Sequence, residues 1–259
     1  METQISIVIA TWNAAKTLKD CLDSIIPQLS SRVELILIDG GSKDETNQII
    51  DSYGDFISYK MSEPDKGIYD AWNKGVSAAK GKWVAFIGAD DVLLPGAIDA
   101  YLEVIDSRQD IETFDYICAK NEYVDSEGKI IKILGGMPEW DIFRKRMNAA
   151  HVASLHNKKN LFEKLGGYDL DFRICADYEL LMRKKEKLKY LFIHEHIARM
   201  QMGGMSFSVK AIEETYLIRK KHKSIGTIQN AYLLIQDYIL FKSFKIRHII
   251  YNILIPANK

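Results

Sequence analysis

The chain has 259 residues, 47% of them hydrophobic, and carries 35 basic against 35 acidic side chains. That much apolar material fills one large α/β domain, with or without an extension, and excludes a small disulfide scaffold. Cys21, Cys118 and Cys175 are scattered without metal-type spacing, which excludes a zinc site and predicts reduced thiols in a cytoplasmic protein.

Met1 to Ala10 runs directly into a strand pattern without a basic region and apolar core, so no signal peptide is expected. Ile5 to Ala10 is the first apolar strand. Leu18, Leu22, Ile25 and Ile26 give Ala14 to Leu29 helical spacing, and Val33 to Ile38 is a second apolar strand. Asp44 to Tyr53 reads as a helix, Phe56 to Met61 as a strand, Gly67 to Ala79 as a helix and Lys82 to Ile87 as the fourth strand. Near-continuous apolar strands between helices predict a parallel, Rossmann-like sheet covered on both faces. Pro95 to Asp106 is a further helix. Tyr116 to Val124 and Lys129 to Leu134 flank Asp125-Ser126-Glu127-Gly128, a hairpin signal. Ala149 to Leu155 is strand-like, Lys158 to Leu165 a short helix, Asp177 to Lys187 a helix and Lys189 to His194 a strand.

Charge is unevenly placed. Tyr216 to Lys259 holds eight Lys and Arg against one Asp, so a tail near +7 follows a body near −7. Its apolar runs, Ala231 to Phe241 and Ile249 to Ile255, are well short of the roughly 20 residues that a bilayer span needs. A basic, apolar-faced helical tail suits an anionic membrane surface, or packs on the core or on another subunit, so a homodimer is the other expectation.

Ligands of open α/β sheets bind beyond the carboxyl ends of the strands. Here those ends are Thr11-Trp12-Asn13, Asp39-Gly40-Gly41-Ser42, Glu63 to Gly67, and Gly88-Ala89-Asp90-Asp91. Two adjacent acids repel each other unless a cation or proton joins them, and a divalent cation is the natural partner. The competing reading makes Asp90 or Asp91 the cap of the helix that Pro95 opens. Asp39 has an acceptor for a base N–H beside two glycines, or else begins a turn that Asp44 caps. Lys66, just before a helix start, points to an anionic ligand or is a solvated lysine. Asp177, in the first turn of a helix, fits a general base or a dipole-stabilised acid. No Gly-x-Gly-x-x-Gly or Walker-type lysine follows the first strand, which argues against dinucleotides and ATP hydrolysis.

Taken in order, these segments, the third extended over Glu63 to Gly81, with Gly166-Gly167-Tyr168-Asp169, Ala176-Asp177-Tyr178-Glu179-Leu180 and Gly203-Gly204-Met205-Ser206, resemble the inverting family 2 glycosyltransferases of the GT-A fold. Variants of that pattern occur in bacterial O-antigen and capsule transferases acting on lipid-linked sugars. The resemblance implies a mostly parallel mixed sheet flanked by helices over residues 1–206. The nucleotide-sugar half is about 1–107 and the acceptor half about 108–206, with a basic amphipathic extension at 207–259. It further implies Thr11 and Asp39 at a uracil base with Asn13 nearby, Asp90 at the ribose, and Asp91 on the Mn²⁺ or Mg²⁺ that bridges the donor diphosphate. Lys66 and Asn73 are weaker donor-side contacts. Asp177 is the catalytic base, preceded by Ala176 where relatives carry Glu. His151, with His156, and Gly204 and Ser206 line the acceptor side. Gly88 stands where many relatives have the first acid of Asp-x-Asp, which leaves the number of protein ligands on the metal open.

The implied activity is inverting transfer of a hexose, UDP-glucose being the first guess, to an undecaprenyl-diphosphate-linked saccharide. A β-linkage would form at the inner face of the cell membrane, without a nucleic-acid partner. The alternatives are a sugar-phosphate nucleotidyltransferase and a non-catalytic membrane-associated scaffold.

Overall fold

Residues alternate between two cores along each central strand, and that alternation builds the sheet. The computed structural model describes residues 2–254 apart from 126, 202, 205 and 206, and for 244–254 the backbone alone. Its strands are β1 (Ile5–Thr11), β2 (Val33–Asp39), β3 (Tyr59–Ser62), β4 (Trp83–Gly88), β5 (Val92–Leu93), β6 (Tyr116–Val124), β7 (Ile130–Leu134), β8 (Leu155–Asn157) and β9 (Tyr190–Gln201). The helices are α1 (Leu18–Ile25), α2 (Thr46–Ser52), α3 (Ile68–Ala78), α4 (Ala97–Asp106), α5 (Trp140–Phe143), α6 (Ala176–Met182), α7 (Val209–His222) and α8 (Thr227–Leu254).

The sheet order is β3-β2-β1-β4-β8-β6-β9-β5, with β7 paired to β6. The first four of these run parallel, β8 is antiparallel to β4 and β6, and β9 is parallel to β6. This is the expected α/β, Rossmann-like mixed sheet.

Ile5, Ile7, Ile9, Leu35, Leu37, Ala85 and Ile87 face one core, where α1 buries Leu18, Cys21, Leu22 and Ile25. Val8, Ile36, Ile38, Val84 and Phe86 face the other, against Tyr69, Trp72 and Val76 of α3. Each such aliphatic contributes about 1.5–3 kcal/mol when fully buried. Gly75 lets α3 approach β1 closely, because a Cβ there would lie 2.3 Å from Val8 Cγ1.

Several boundaries differ from the sequence reading. Residues 149–154 form no strand: Ala153 adopts the left-handed region at φ 58° and the strand begins at Leu155. His151 therefore sits on a loop. The helix after Pro95 starts at Ala97, behind Gly96 at φ 79°, and β5 separates it from Asp90 and Asp91. Those two acids do not cap it. β9 is twice the expected length because its second half pairs with β5 and with the outer end of β6.

The first helix of the C-terminal region is tied to the body. Arg219 of α7 is fully buried, donates to the Lys145 carbonyl at 2.8 Å and lies 3.6 Å from Asp237 of α8. No helix among the described residues is long and apolar enough to cross a membrane.

Candidate active site

The carboxyl ends of β2, β1 and β4 lie side by side, since Thr11 pairs with Asp39 and Ala10 with Gly88. Asp39 is buried there and accepts from Thr11 Oγ1 at 3.0 Å, the Gly41 amide at 3.1 Å and the Ser42 amide at 2.9 Å. Asn47 Nδ2 at 3.2 Å, Ser62 Oγ at 2.6 Å and the Ser42 hydroxyl complete the set. Burial alone would raise this carboxyl, but the hydroxyls of Ser42, Ser62 and Thr11 and the Ser42 amide outweigh it and hold it below the usual range. Asp39 thus organises the Gly40–Ser42 turn, and a base N–H would replace one of its present donors, Asn47 being the longest.

Asn13 sits at φ 49°, donates its amide to Ser42 Oγ at 2.8 Å and accepts from the Lys43 amide at 2.9 Å. Trp12 is left 70% exposed over the same end of the sheet. Asp44 accepts from the amide of Thr46 at 3.1 Å and that of Ala15 at 3.1 Å, fastening the start of α2 to the first loop. Asp65 lies against Gly40, where a Cβ would meet its Oδ2 at 2.6 Å, so the third strand's loop closes over the second's. Lys66 is exposed beside it. Asn73 does not face the donor side: it donates to the Tyr168 carbonyl at 3.0 Å and accepts the Tyr168 amide at 2.8 Å, joining α3 to the Gly166-Gly167 turn.

Asp90 and Asp91 converge on Gly88. A Cβ at Gly88 would stand 2.8 Å from Asp90 Oδ1 and 2.8 Å from Asp91 Oδ2. Asp90 is exposed, whereas Asp91 is 6% exposed and accepts the Gly88 amide at 3.1 Å. Burial, and then the charge of Asp90, push the Asp91 carboxyl up to about 8. Two acid oxygens over a bare backbone suit a hard divalent cation, and a side chain at position 88 would occupy that space. No set of three His, Cys, Asp or Glu able to hold a metal occurs among the described residues. Among the described residues Asp90 and Asp91 are the acids that converge at this point. Asp90, expected at the ribose, and Asp91, expected on the metal, thus reach the same point from one turn.

Asp177 opens α6. Tyr69 Oη lies 2.9 Å from its Oδ1 and 2.7 Å from the Ile174 carbonyl, so one phenolic proton serves two acceptors. His151 Nδ1 stands 3.8 Å from Asp177 Oδ2. Burial raises the Asp177 carboxyl above its ordinary value, outweighing the Tyr178 amide, the Tyr69 hydroxyl and its own amide. The His151 ring stacks on Phe86, two residues before Gly88, and packs against Trp72. Asp177 thereby connects to the same strand end as the acid pair. His156 is fully buried, with Nδ1 3.2 Å from the Ser154 carbonyl, and belongs to the core. Gly204 is exposed and accepts the Phe207 amide at 3.1 Å, while Ser206 lies outside the described residues.

Three residues given no role of their own in the sequence reading support Asp177 or the helix that carries it. Tyr69 is one. Glu214 of α7 accepts the amides of Arg173 at 2.9 Å, Ile174 at 2.9 Å and Cys175 at 2.8 Å, fixing the turn into α6. Glu179, fully buried, is bound by Arg183 at 2.5 Å, Lys221 at 2.7 Å and His222 at 2.9 Å. Glu214 and the long-range contacts of Glu179 carry no signal in the sequence, because those partners are backbone amides or side chains about 40 residues away; Arg183 alone is a local, i,i+4 partner of Glu179. A cavity of about 660 Å³ rimmed by Lys80, Lys82, Lys159, Lys187 and Lys189 opens at the opposite, amino end of the strands, away from this chemistry.

Residues 6–158 match the model of the family described as "Glycosyl transferase family 2". A PGL/p-HBAD biosynthesis glycosyltransferase of Mycobacterium tuberculosis is 32% identical over 221 residues, covering 83% of this chain and 82% of the relative. An uncharacterized glycosyltransferase of Rickettsia prowazekii is 26% identical over 219 residues, covering 81% and 67%. Among solved structures, S. aureus TarS 1-349 in complex with UDP-GlcNAc superposes with a TM-score of 0.67 at 13% identity, covering 90% of this chain and 70% of that one. The mannosyltransferase PcManGT from Pyrobaculum calidifontis, in complex with GDP-Man and Mn²⁺, gives 0.64 at 14% identity, covering 88% and 66%. The fold is GT-A, and the chain belongs to glycosyl transferase family 2.

Proposed function

We propose that this glycosyltransferase moves a hexose from a UDP-sugar, UDP-glucose first, to a saccharide carried on an undecaprenyl diphosphate. The transfer inverts the anomeric centre and forms a β-linkage in a bacterial O-antigen or other surface polysaccharide. The observation that carries the reading is Asp177, a shielded carboxyl with raised proton affinity, joined through His151 and Phe86 to the strand end that bears Asp90 and Asp91.

Glycosyl transfer builds positive charge at the anomeric carbon and negative charge on the leaving phosphate. A Mn²⁺ or Mg²⁺ ion bound at Asp90 and Asp91 would supply Lewis acidity to the departing diphosphate. Thr11, Asn13 and Asp39 shape the pocket for the base, and Lys66 lies near the diphosphate. Asp177 takes the proton of the acceptor hydroxyl as its oxygen bonds to the anomeric carbon and the bond to UDP breaks. His151, Gly204 and Ser206 border the acceptor. The UDP-GlcNAc complex of TarS and the Mn²⁺ complex of PcManGT support the donor and metal assignments.

The membrane part of the reading rests on α8. Ile228, Tyr232, Ile235 and Ile239 form an exposed apolar stripe, while Leu233 and Phe241 turn inward. Phe207 packs on Phe241 at 5.0 Å, which connects the acceptor-side loop to that helix. The basic tail complements an anionic inner leaflet.

The test is a screen of UDP-glucose, UDP-galactose, UDP-N-acetylglucosamine and GDP-mannose with Mn²⁺ or Mg²⁺ and a synthetic diphospholipid N-acetylhexosamine acceptor, reading the product's anomeric configuration. A β-linked product from a UDP-sugar supports the proposal. An α-linked product, or transfer that persists in EDTA, contradicts it.

A further inference from the structure

His151 is nine-tenths buried, yet neither ring nitrogen has a hydrogen-bond partner among the described residues. Leaving such groups unpaired is unfavourable, and exceptions concentrate where a group has a task. Its ring packs among Trp72, Phe86, His156 and Tyr168. One atom of the ring, Nδ1, points at Asp177 Oδ2 from 3.8 Å. That is less than 1 Å beyond a good hydrogen bond, and catalytic hydrogen bonds are often long before substrate binds.

The side-chain donor at the other oxygen of Asp177 is a shared one. The Tyr69 hydroxyl that faces Oδ1 lies closer to the Ile174 carbonyl, at 2.7 Å against 2.9 Å. The remaining titratable groups around Asp177 are Tyr116, Tyr168 and Cys175, all neutral through burial, and no lysine or arginine among the described residues shifts it. Burial sets the upward direction of its proton affinity and the donors that oppose it are uncharged; His151 is a further uncharged donor within reach, and it has no other partner among the described residues.

We propose that His151 is a positioning residue for Asp177: in the substrate-bound protein Nδ1–H donates to Oδ2, keeping the carboxylate ionised and turned toward the acceptor hydroxyl. This rests on Asp177 being the base. Burial also pulls the imidazole down to about 3, so it stays a neutral donor through the working range and adds no charge to the site. A neutral donor favours the ionised carboxylate without trapping it as an ion pair, so Asp177 can still receive the acceptor's proton.

The test is carboxyl ¹³C NMR of Asp-labelled protein with Mg²⁺ and UDP present, the Asp177 resonance being the one lost in Asp177→Asn. His151→Phe keeps an aromatic ring and removes the donor; His151→Asn keeps a donor at the same height. The Asp177 titration midpoint should rise by about one pH unit in His151→Phe and return to within about half a unit of wild type in His151→Asn. Equal midpoints in all three proteins would show that His151 only fills space and would overturn the proposal. The base assignment is judged separately, by whether Asp177→Asn still transfers sugar, so the two readings fail independently.

Discussion

Replacing Glu214 by Ala removes a single acceptor that serves three consecutive amides, at 2.9, 2.9 and 2.8 Å. A hydrogen bond to a charged acceptor contributes about 1.5–3 kcal/mol, and a buried donor left unpaired costs about 1–3 kcal/mol. Arg173 is exposed and its amide recovers water, whereas Ile174 and Cys175 are half-buried. Two amides therefore set the penalty, at about 2–5 kcal/mol. For a chain of this size about 1 kcal/mol moves Tm by about 2–4 °C, so thermal unfolding should begin some 5–15 °C lower, these being order-of-magnitude values. Because Cys175 immediately precedes α6, the release also loosens Asp177, and transfer should fall further than the folded fraction does. Glu214→Gln, which keeps one acceptor oxygen but turns an amino group toward the amides, should lie between. The assay is thermal unfolding by circular dichroism paired with sugar transfer at a temperature where all three proteins are folded. Unchanged Tm and unchanged transfer in Glu214→Ala would refute the idea that α7 is part of the catalytic body.

Gly88→Ala places a methyl 2.8 Å from an oxygen of each acid, and should weaken Mn²⁺-dependent UDP binding by about tenfold or more in calorimetry, with little effect on Tm. Burial would raise Glu179, but His222, Arg183 and Lys221 hold it at about 2, against 4.5 for an unconstrained glutamate. Its stabilisation is therefore complete above pH 4.5 and is lost as pH falls toward 2. Tm of Glu179→Gln should accordingly be lower at neutral pH and decline less steeply than wild type across that window. Ile235→Glu with Ile239→Glu removes two exposed side chains from the α8 stripe. Flotation with phosphatidylglycerol vesicles should drop by about 10²–10⁴-fold in partition coefficient, at about 1.5–3 kcal/mol for each of the two side chains, while a loss of dimer in ultracentrifugation instead would assign the stripe to a second copy.

The central strands were legible because their residues are buried on both faces, leaving apolar runs such as Ile5 to Ile9 and Val33 to Ile38 that read the same in either representation. Their polar endings pointed to the site because Thr11, Asp39 and the Asp90-Asp91 pair stand where apolar runs stop and an open α/β sheet receives ligands. What those acids do individually was not legible. The resemblance gave Asp90 and Asp91 separate tasks, and the turn after Gly88 brings both to one point, one exposed and one buried. His151 was placed on a strand because Ala149 to Leu155 is apolar, and the left-handed conformation at Ala153 that puts it on a loop has no signature in an alanine. Glu214 and Tyr69 were invisible because their roles are backbone and long-range contacts. Asn73, read as a donor-side contact, turned out to be satisfied by the Tyr168 backbone, which pairwise motif reading cannot see.

The most direct test of the account is Asp177→Asn, which keeps the shape of the side chain and the Tyr69 contact but cannot take a proton. With binding of UDP and Mg²⁺ shown by calorimetry to equal wild type, transfer should fall by about 10²–10⁴-fold, the usual range for loss of a general base. Near wild-type transfer from that variant, with donor binding intact, would contradict the assignment of Asp177 and with it the proposed mechanism.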